Sequence, residues 1–83
     1  MKKVLITGSG SGLGKALALR YAGQGDEVCV ADMNLQTAQD VVEQISQSGG
    51  NAFACACDIT QQGDVDHLAS QLRERWGLSL IHI

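Results

Sequence analysis

Thr7-Gly8-Ser9-Gly10-Ser11-Gly12-Leu13-Gly14 is the stretch that decides the fold of this 83-residue chain. It stands between a short apolar run, Lys3-Val4-Leu5-Ile6-Thr7, and residues 13–22, which are rich in helix formers. An apolar run that glycine ends at once reads as a strand buried on both faces, and the segment after it as a helix. Such a turn leaves the first N–H groups of the helix bare, at the positive end of its dipole. A diphosphate needs those donors, and it reaches them only if no Cβ stands in the way. Gly8 allows the sharp turn off the strand, Gly12 allows close approach, and Gly14 lets the helix settle against the sheet.

Working outward, the periodicity keeps changing at short intervals. Gly23 and Gly25 end the first helix, and Val28-Cys29-Val30-Ala31 predicts a second buried strand closing on Asp32. Asn34 can cap a second helix, in which Ala38, Val41, Val42 and Ile45 recur at i, i+3, i+4 and i+7. Gly49-Gly50 ends it, and Ala52 to Cys57 predicts a third strand. Thr60 is a suitable cap for a third helix, with Asp64 near its positive end and Val65, Leu68, Ala69, Leu72 and Trp76 on one stripe. The order βαβαβα implies an α/β fold with parallel strands, right-handed crossovers and helices covering the sheet. That is one wing of a doubly wound sheet, and no internal repeat or linker interrupts it.

Composition narrows the function classes. With 45% hydrophobic and 18% charged residues, ten glycines and no proline, the chain is neither disordered nor collagenous. Six basic against nine acidic residues give a net charge of −3, which argues against a nucleic-acid or anionic-membrane partner. No apolar run approaches the ~20 residues of a membrane span. The apolar stretch after Met1-Lys2-Lys3 stops after three residues, too soon for a signal peptide. Cys29, Cys55 and Cys57 form no CxxC and have no histidine at ligand spacing. They read as reduced core residues of a cytoplasmic protein, with no metal site.

Two nucleotide motifs fail on the glycine-rich turn. GxGxxG requires a third glycine at Leu13 or at Lys15. GxxxxGK[ST] requires a glycine at Ser9 and a hydroxyl at Ala16, which leaves a triphosphate hydrolase as the poorer alternative. The spacing that fits is TGxxxGxG, through Thr7, Gly8, Gly12 and Gly14. Here the sequence resembles the short-chain dehydrogenase/reductase family, whose cofactor motif it matches at every defined position. The resemblance covers residues 1–77 and implies a partial Rossmann fold, the βαβαβα(β) half of that sheet.

Asp32 follows Gly14 by 18 residues. An acid about 20 residues beyond a phosphate turn is placed to accept both hydroxyls of an adenosine ribose, and it repels a 2′-phosphate. In relatives that take NADP, the positions held here by Ser11 and Met33 often carry a basic side chain, so the resemblance implies NAD. The plainer reading of Asp32 is a solvated strand end or a helix cap, although Asn34 already offers a cap. Asp58-Ile59-Thr60 looks like the family's Asp-(Val/Ile)-Thr element. By resemblance, Asp58 accepts a hydrogen bond from the adenine amino group and the Ile59 backbone lies beside the ring. The alternative for Asp58 is a turn residue ahead of a Thr60 cap. The cofactor site expected from all this comprises Thr7, Gly8, Ser9, Gly10, Ser11, Gly12, Leu13, Gly14, Asp32, Met33, Asp58 and Ile59.

The same resemblance implies a parent oxidoreductase that works on an alcohol/carbonyl pair and associates as a homo-oligomer. The family's later Asn-Asn-Ala-Gly element, catalytic serine and Tyr-x-x-x-Lys pair are not among these residues. Tyr21 is the only tyrosine and has no lysine four positions on, so no catalytic residue is assigned. A non-catalytic NAD-binding module is the competing reading. His67 falls between stripe positions of the third helix and is expected to face solvent, whereas Trp76 is expected in the core. Residues 78–83, Leu-Ser-Leu-Ile-His-Ile, are the in-frame translation of a sequence resembling the transposase end used in DNA library preparation. They are expected to be an adapter scar, or otherwise the start of a fourth strand.

Overall fold

The computed structural model describes residues 2–8, 12–77 and 81–82. Strand β1 (Lys3–Thr7) leads to α1 (Gly12–Gly23), then β2 (Glu27–Asp32), α2 (Leu35–Gln47), β3 (Asn51–Ala56), α3 (Gln62–Trp76) and β4 (Ile81–His82). All paired strands are parallel, in the order β3-β2-β1-β4. Val4 lies opposite Val28, and Val28 opposite Ala52. Ile81 and His82 pair with Val4 and Leu5, as a fourth strand beside the first would, while residues 78–80 and 83 of that hexapeptide lie outside the described residues.

Side chains alternate across a strand, so one continuous apolar run supplies two cores. Val4 and Ile6 of β1 and Val28 and Val30 of β2 pack with Ala18 and Ala22 of α1 and Ala38, Val41 and Ile45 of α2. The intervening Leu5, Cys29 and Ala31 pack with Cys57 and with Leu68, Leu72 and Trp76 of α3. Two helices therefore cover one face and the third covers the other, as the element order predicts. Of the stripes expected on the helices, Val42 and Val65 are half-buried and Ala69 is exposed, so each buried face is narrower than its sequence pattern. His67 is exposed and Trp76 is buried.

Helix ends follow local chemistry. The Asn34 side chain caps α2, accepting from the backbone N–H groups of Gln36 at 3.0 Å and Thr37 at 3.4 Å. Gly49, at φ +83°, closes the other end, and the Gly50 N–H returns to the Ile45 carbonyl at 2.9 Å. The cap expected at Thr60 is corrected. Helix α3 starts at Gln62 behind Gln61, whose side chain makes no capping bond. Thr60 stands too early in the chain, and Asp58 captures its hydroxyl at 2.6 Å. The expected acidic residue in the first turn of α3, Asp64, is in place.

Candidate functional site

In open α/β sheets, ligands collect at the carboxyl ends of the strands where strand order reverses. Here β2 and β4 lie on opposite sides of β1, so the reversal falls at the end of β1, where Thr7 enters the glycine-rich turn. Gly8 and Gly12 adopt φ +64° and +58°, the left-handed region that L side chains seldom enter. A Cβ added at either would meet no heavy atom within 4 Å, so packing within the chain does not explain why these two positions lack a side chain. Leu13 is exposed and Gly14 half-buried in the first turn of α1, while Ser9, Gly10 and Ser11 lie outside the described residues.

The other expected residues come from the ends of β2 and β3, and the sheet register brings them together. Ala56 pairs with Asp32, and the Cys57 N–H continues the ladder to the Asp32 carbonyl at 2.9 Å. A cavity of about 260 Å³ opens there, lined by Gly8, Asp32, Met33, Cys57, Asp58, Ile59 and Thr60. Asp32 is half-buried, and its Oδ1 accepts from the Asn34 backbone N–H at 3.0 Å, which fixes the carboxylate at the strand end. Met33 and Ile59 are 71% and 64% exposed, so two large apolar side chains are left without partners of their own at this cavity. Soluble proteins leave single apolar residues exposed routinely, but two lining one cavity mark a surface that binding would cover. Two larger hollows are also present, one of them adjoining this cavity through Cys57 and Ile59. A groove of about 500 Å³ runs beside Phe53, Ala54, Gln71, Glu74 and Arg75, and an apolar one of about 340 Å³ lies over Leu5, Leu68 and Leu72, with Thr7, Cys57 and Ile59 on the side that meets the site. Neither includes Asp32 or Asp58 among its lining residues.

The electrostatics of the cavity are acidic and orderly. Hydrogen bonds donated by the Thr60 hydroxyl and then by its backbone N–H, at 2.6 and 2.9 Å, hold the Asp58 carboxyl below the usual carboxylate range. Asp58 is thus a turn residue, and the same turn sets it on the cavity wall. Burial pushes the Cys57 thiol up, helped by the charges of Asp64 and Asp58, so it presents a neutral wall at physiological pH. Cys29, inside the core, is pushed up to about 12, chiefly by burial. All three cysteines are free. Among the described residues, no group of three or more His, Cys, Asp or Glu could hold a metal ion, and no helix is long and apolar enough to cross a membrane.

Cys57 and Thr60 line the cavity without having been expected there. A signal for Thr60 existed, since Asp and Thr two residues apart readily close a turn through the carboxylate. Cys57 gave none, because a small apolar residue at a strand end looks the same whether or not a cavity adjoins it. Tyr21, on α1, is half-buried and packs against the core that α1 and α2 share with the sheet.

Comparison with known proteins gives a consistent outcome. The family model described as short chain dehydrogenase matches residues 2–80. The chain is similar to the 7alpha-hydroxysteroid dehydrogenase of Escherichia coli (strain K12), 47% identical over 68 residues, covering 82% of this chain and 27% of that protein. A crystal structure of hydroxysteroid dehydrogenase from Escherichia coli superposes with a TM-score of 0.90 at 41% identity, covering 98% of this chain and 35% of the other. A 7 alpha-hydroxysteroid dehydrogenase complexed with NADH and 7-oxo glycochenodeoxycholic acid gives 0.87 at 43% identity, covering 92% and 30%. The chain thus spans about a third of the length of these proteins or less.

Proposed function

This chain belongs to the short-chain dehydrogenase family, and from that premise we propose that it is the NAD(H)-binding part of an oxidoreductase acting on an alcohol/carbonyl pair. The observation that carries the reading is the gathering of Gly8, Asp32, Met33, Asp58 and Ile59, drawn from the ends of three strands, around one cavity. Its volume of about 260 Å³ falls below the ~300–1,000 Å³ of a complete ligand pocket, as suits one end of an extended dinucleotide. In this reading the backbone around Ser9 to Leu13 holds the diphosphate. Asp32 accepts the two ribose hydroxyls, Asp58 accepts the adenine amino group through its carboxylate, and Met33 and Ile59 cover the ring faces. The nicotinamide, when bound, supplies the hydride acceptor or donor for a secondary alcohol or its ketone. No residue of this chain is assigned to the accompanying proton transfer, so the 83 residues alone are expected to bind without turnover. Three unpaired thiols support a cytoplasmic setting.

Preference for NAD over NADP follows from charge. A 2′-phosphate ~4 Å from a carboxylate at an effective dielectric of ~20 is disfavoured by on the order of 4 kcal/mol before screening. Asp32 is half-buried, so salt screens part of this and an NADH preference of about fivefold or more is the conservative expectation. Titrating the chain with NADH, NADPH and Mg-ATP tests the reading, and Asp32→Ser is expected to bring NADH and NADPH affinities together. NADPH binding as tightly as NADH to the unaltered chain overturns the role of Asp32.

A further inference from the structure

The cavity wall made by residues 57–60 belongs to a short loop closed by several bonds. Gln61 N–H reaches the Asp58 carbonyl at 2.9 Å, and Thr60 grips the Asp58 carboxylate twice. A further bond comes from outside the cavity. The Asp58 backbone N–H donates to Oδ2 of Asp64 at 3.0 Å, across six residues of chain. Asp64 is exposed in the first turn of α3 and does not line the cavity. An acid at this helix position commonly stabilises the helix end itself, by bonding back to the N-cap N–H. Asp64 instead bonds the loop residue that carries the recognition carboxylate. The bond fixes the Asp58 backbone against the first turn of α3, and a charged acceptor makes the stronger kind of hydrogen bond.

We propose that Asp64 is a positioning residue for base recognition, holding the Asp58 backbone so that its carboxylate stays on the cavity wall and discriminates an amino group from an oxo group on a bound purine. The inference rests on the reading of Asp58 as acceptor of the adenine amino group. Asp64 touches no part of the bound base. It acts through the orientation of Asp58, and removing it lets the loop turn the carboxylate away.

The test uses the 83-residue chain, AMP and IMP, with affinities read from amide chemical shifts in ¹⁵N spectra. The two nucleotides differ in that one offers a donor and the other an acceptor at the same ring position. One net hydrogen bond corresponds to about a fivefold difference in affinity, so the unaltered chain prefers AMP by about that factor. Asp64→Ala reduces the preference to about one. Asp64→Asn retains it, since the amide oxygen accepts the same N–H. A merely structural role for Asp64 would lower the melting temperature of Asp64→Ala and leave the AMP-to-IMP ratio untouched, and that result overturns the proposal while the Asp58 reading stands. An unaltered chain with no AMP preference removes the Asp58 reading and the positioning role together. Should Asp64→Ala fail to fold, hydrogen exchange at the Asp58 amide of the unaltered chain decides: protection supports the bond to Asp64, and exchange at the rate of a free peptide overturns it.

Discussion

Replacing Gly12 by asparagine separates two reasons why that position could need glycine. Gly12 sits at φ +58°, and a Cβ built on it meets no heavy atom within 4 Å. The penalty in the free chain is therefore conformational and not steric. For alanine it is about 1–2 kcal/mol, and for asparagine it is smaller, because asparagine visits the left-handed region readily. A domain of this size has roughly 4–12 kcal/mol of stability, so both variants are expected to fold. Binding responds differently. If a diphosphate lies on the amides of this turn, any side chain at Gly12 stands in its path, and the loss of even one charge-assisted hydrogen bond is worth about 1.5–3 kcal/mol. Affinity for NADH should then fall about tenfold or more in Gly12→Asn, with the urea midpoint nearly unmoved. Urea melts and ¹⁵N shift titrations on the same samples supply both numbers. NADH affinity unchanged in a folded Gly12→Asn chain would refute the claim that the turn is bare for a diphosphate.

Two other substitutions probe the frame around the site. A Cβ at Gly50 would lie 2.7 Å from Ile45 Cγ2, 3.2 Å from the Ile45 carbonyl and 3.3 Å from Ala22 Cβ, and Ile45 is fully buried. Gly50→Ala should destabilise the chain by about 1–3 kcal/mol, and a urea midpoint equal to that of the unaltered chain contradicts this overpacking. Thr60→Val removes the 2.6 Å hydroxyl donor from Asp58 and should move that carboxyl's NMR titration midpoint upward toward 3.8. Because the folded value is depressed, the stability tied to Asp58 is present above pH 3.8 and fades as pH falls through that lower value. Thr60→Val should weaken this acid dependence, and an unmoved midpoint counts against the hydroxyl as its main cause.

Much of the architecture was legible from residues near one another in the chain. Strand and helix spans followed from apolar runs, periodicity and glycine stops, and the Asn34 cap from its residue type alone. Thr60 was misread for a reason that is also local. Its hydroxyl oxygen could accept from the N–H groups at the start of α3, or its O–H could donate to the carboxylate two residues before it, and the charge-assisted donation to Asp58 is the bond it makes. Residue type indicates that a side chain can cap, but only the traced loop shows which acceptor or donor it meets.

Local sequence by itself determined the element order, the glycine-bearing turn and the two acids at strand ends, since each depends on the chain within a few residues of itself. It also determined that the strands carry two cores, because alternation along a strand is a property of the backbone. What tertiary structure alone decided is adjacency. Asp32 and Asp58 are far apart in the chain, and parallel pairing of Asp32 with Ala56 sets their strand ends side by side against Gly8. The bond from the Asp58 amide to Asp64 belongs to the same class, because it depends on how α3 folds back over the loop that precedes it. Register and crossover are settled by burying Val28, Val30 and their neighbours between helices, a condition on the whole sheet that no single segment contains.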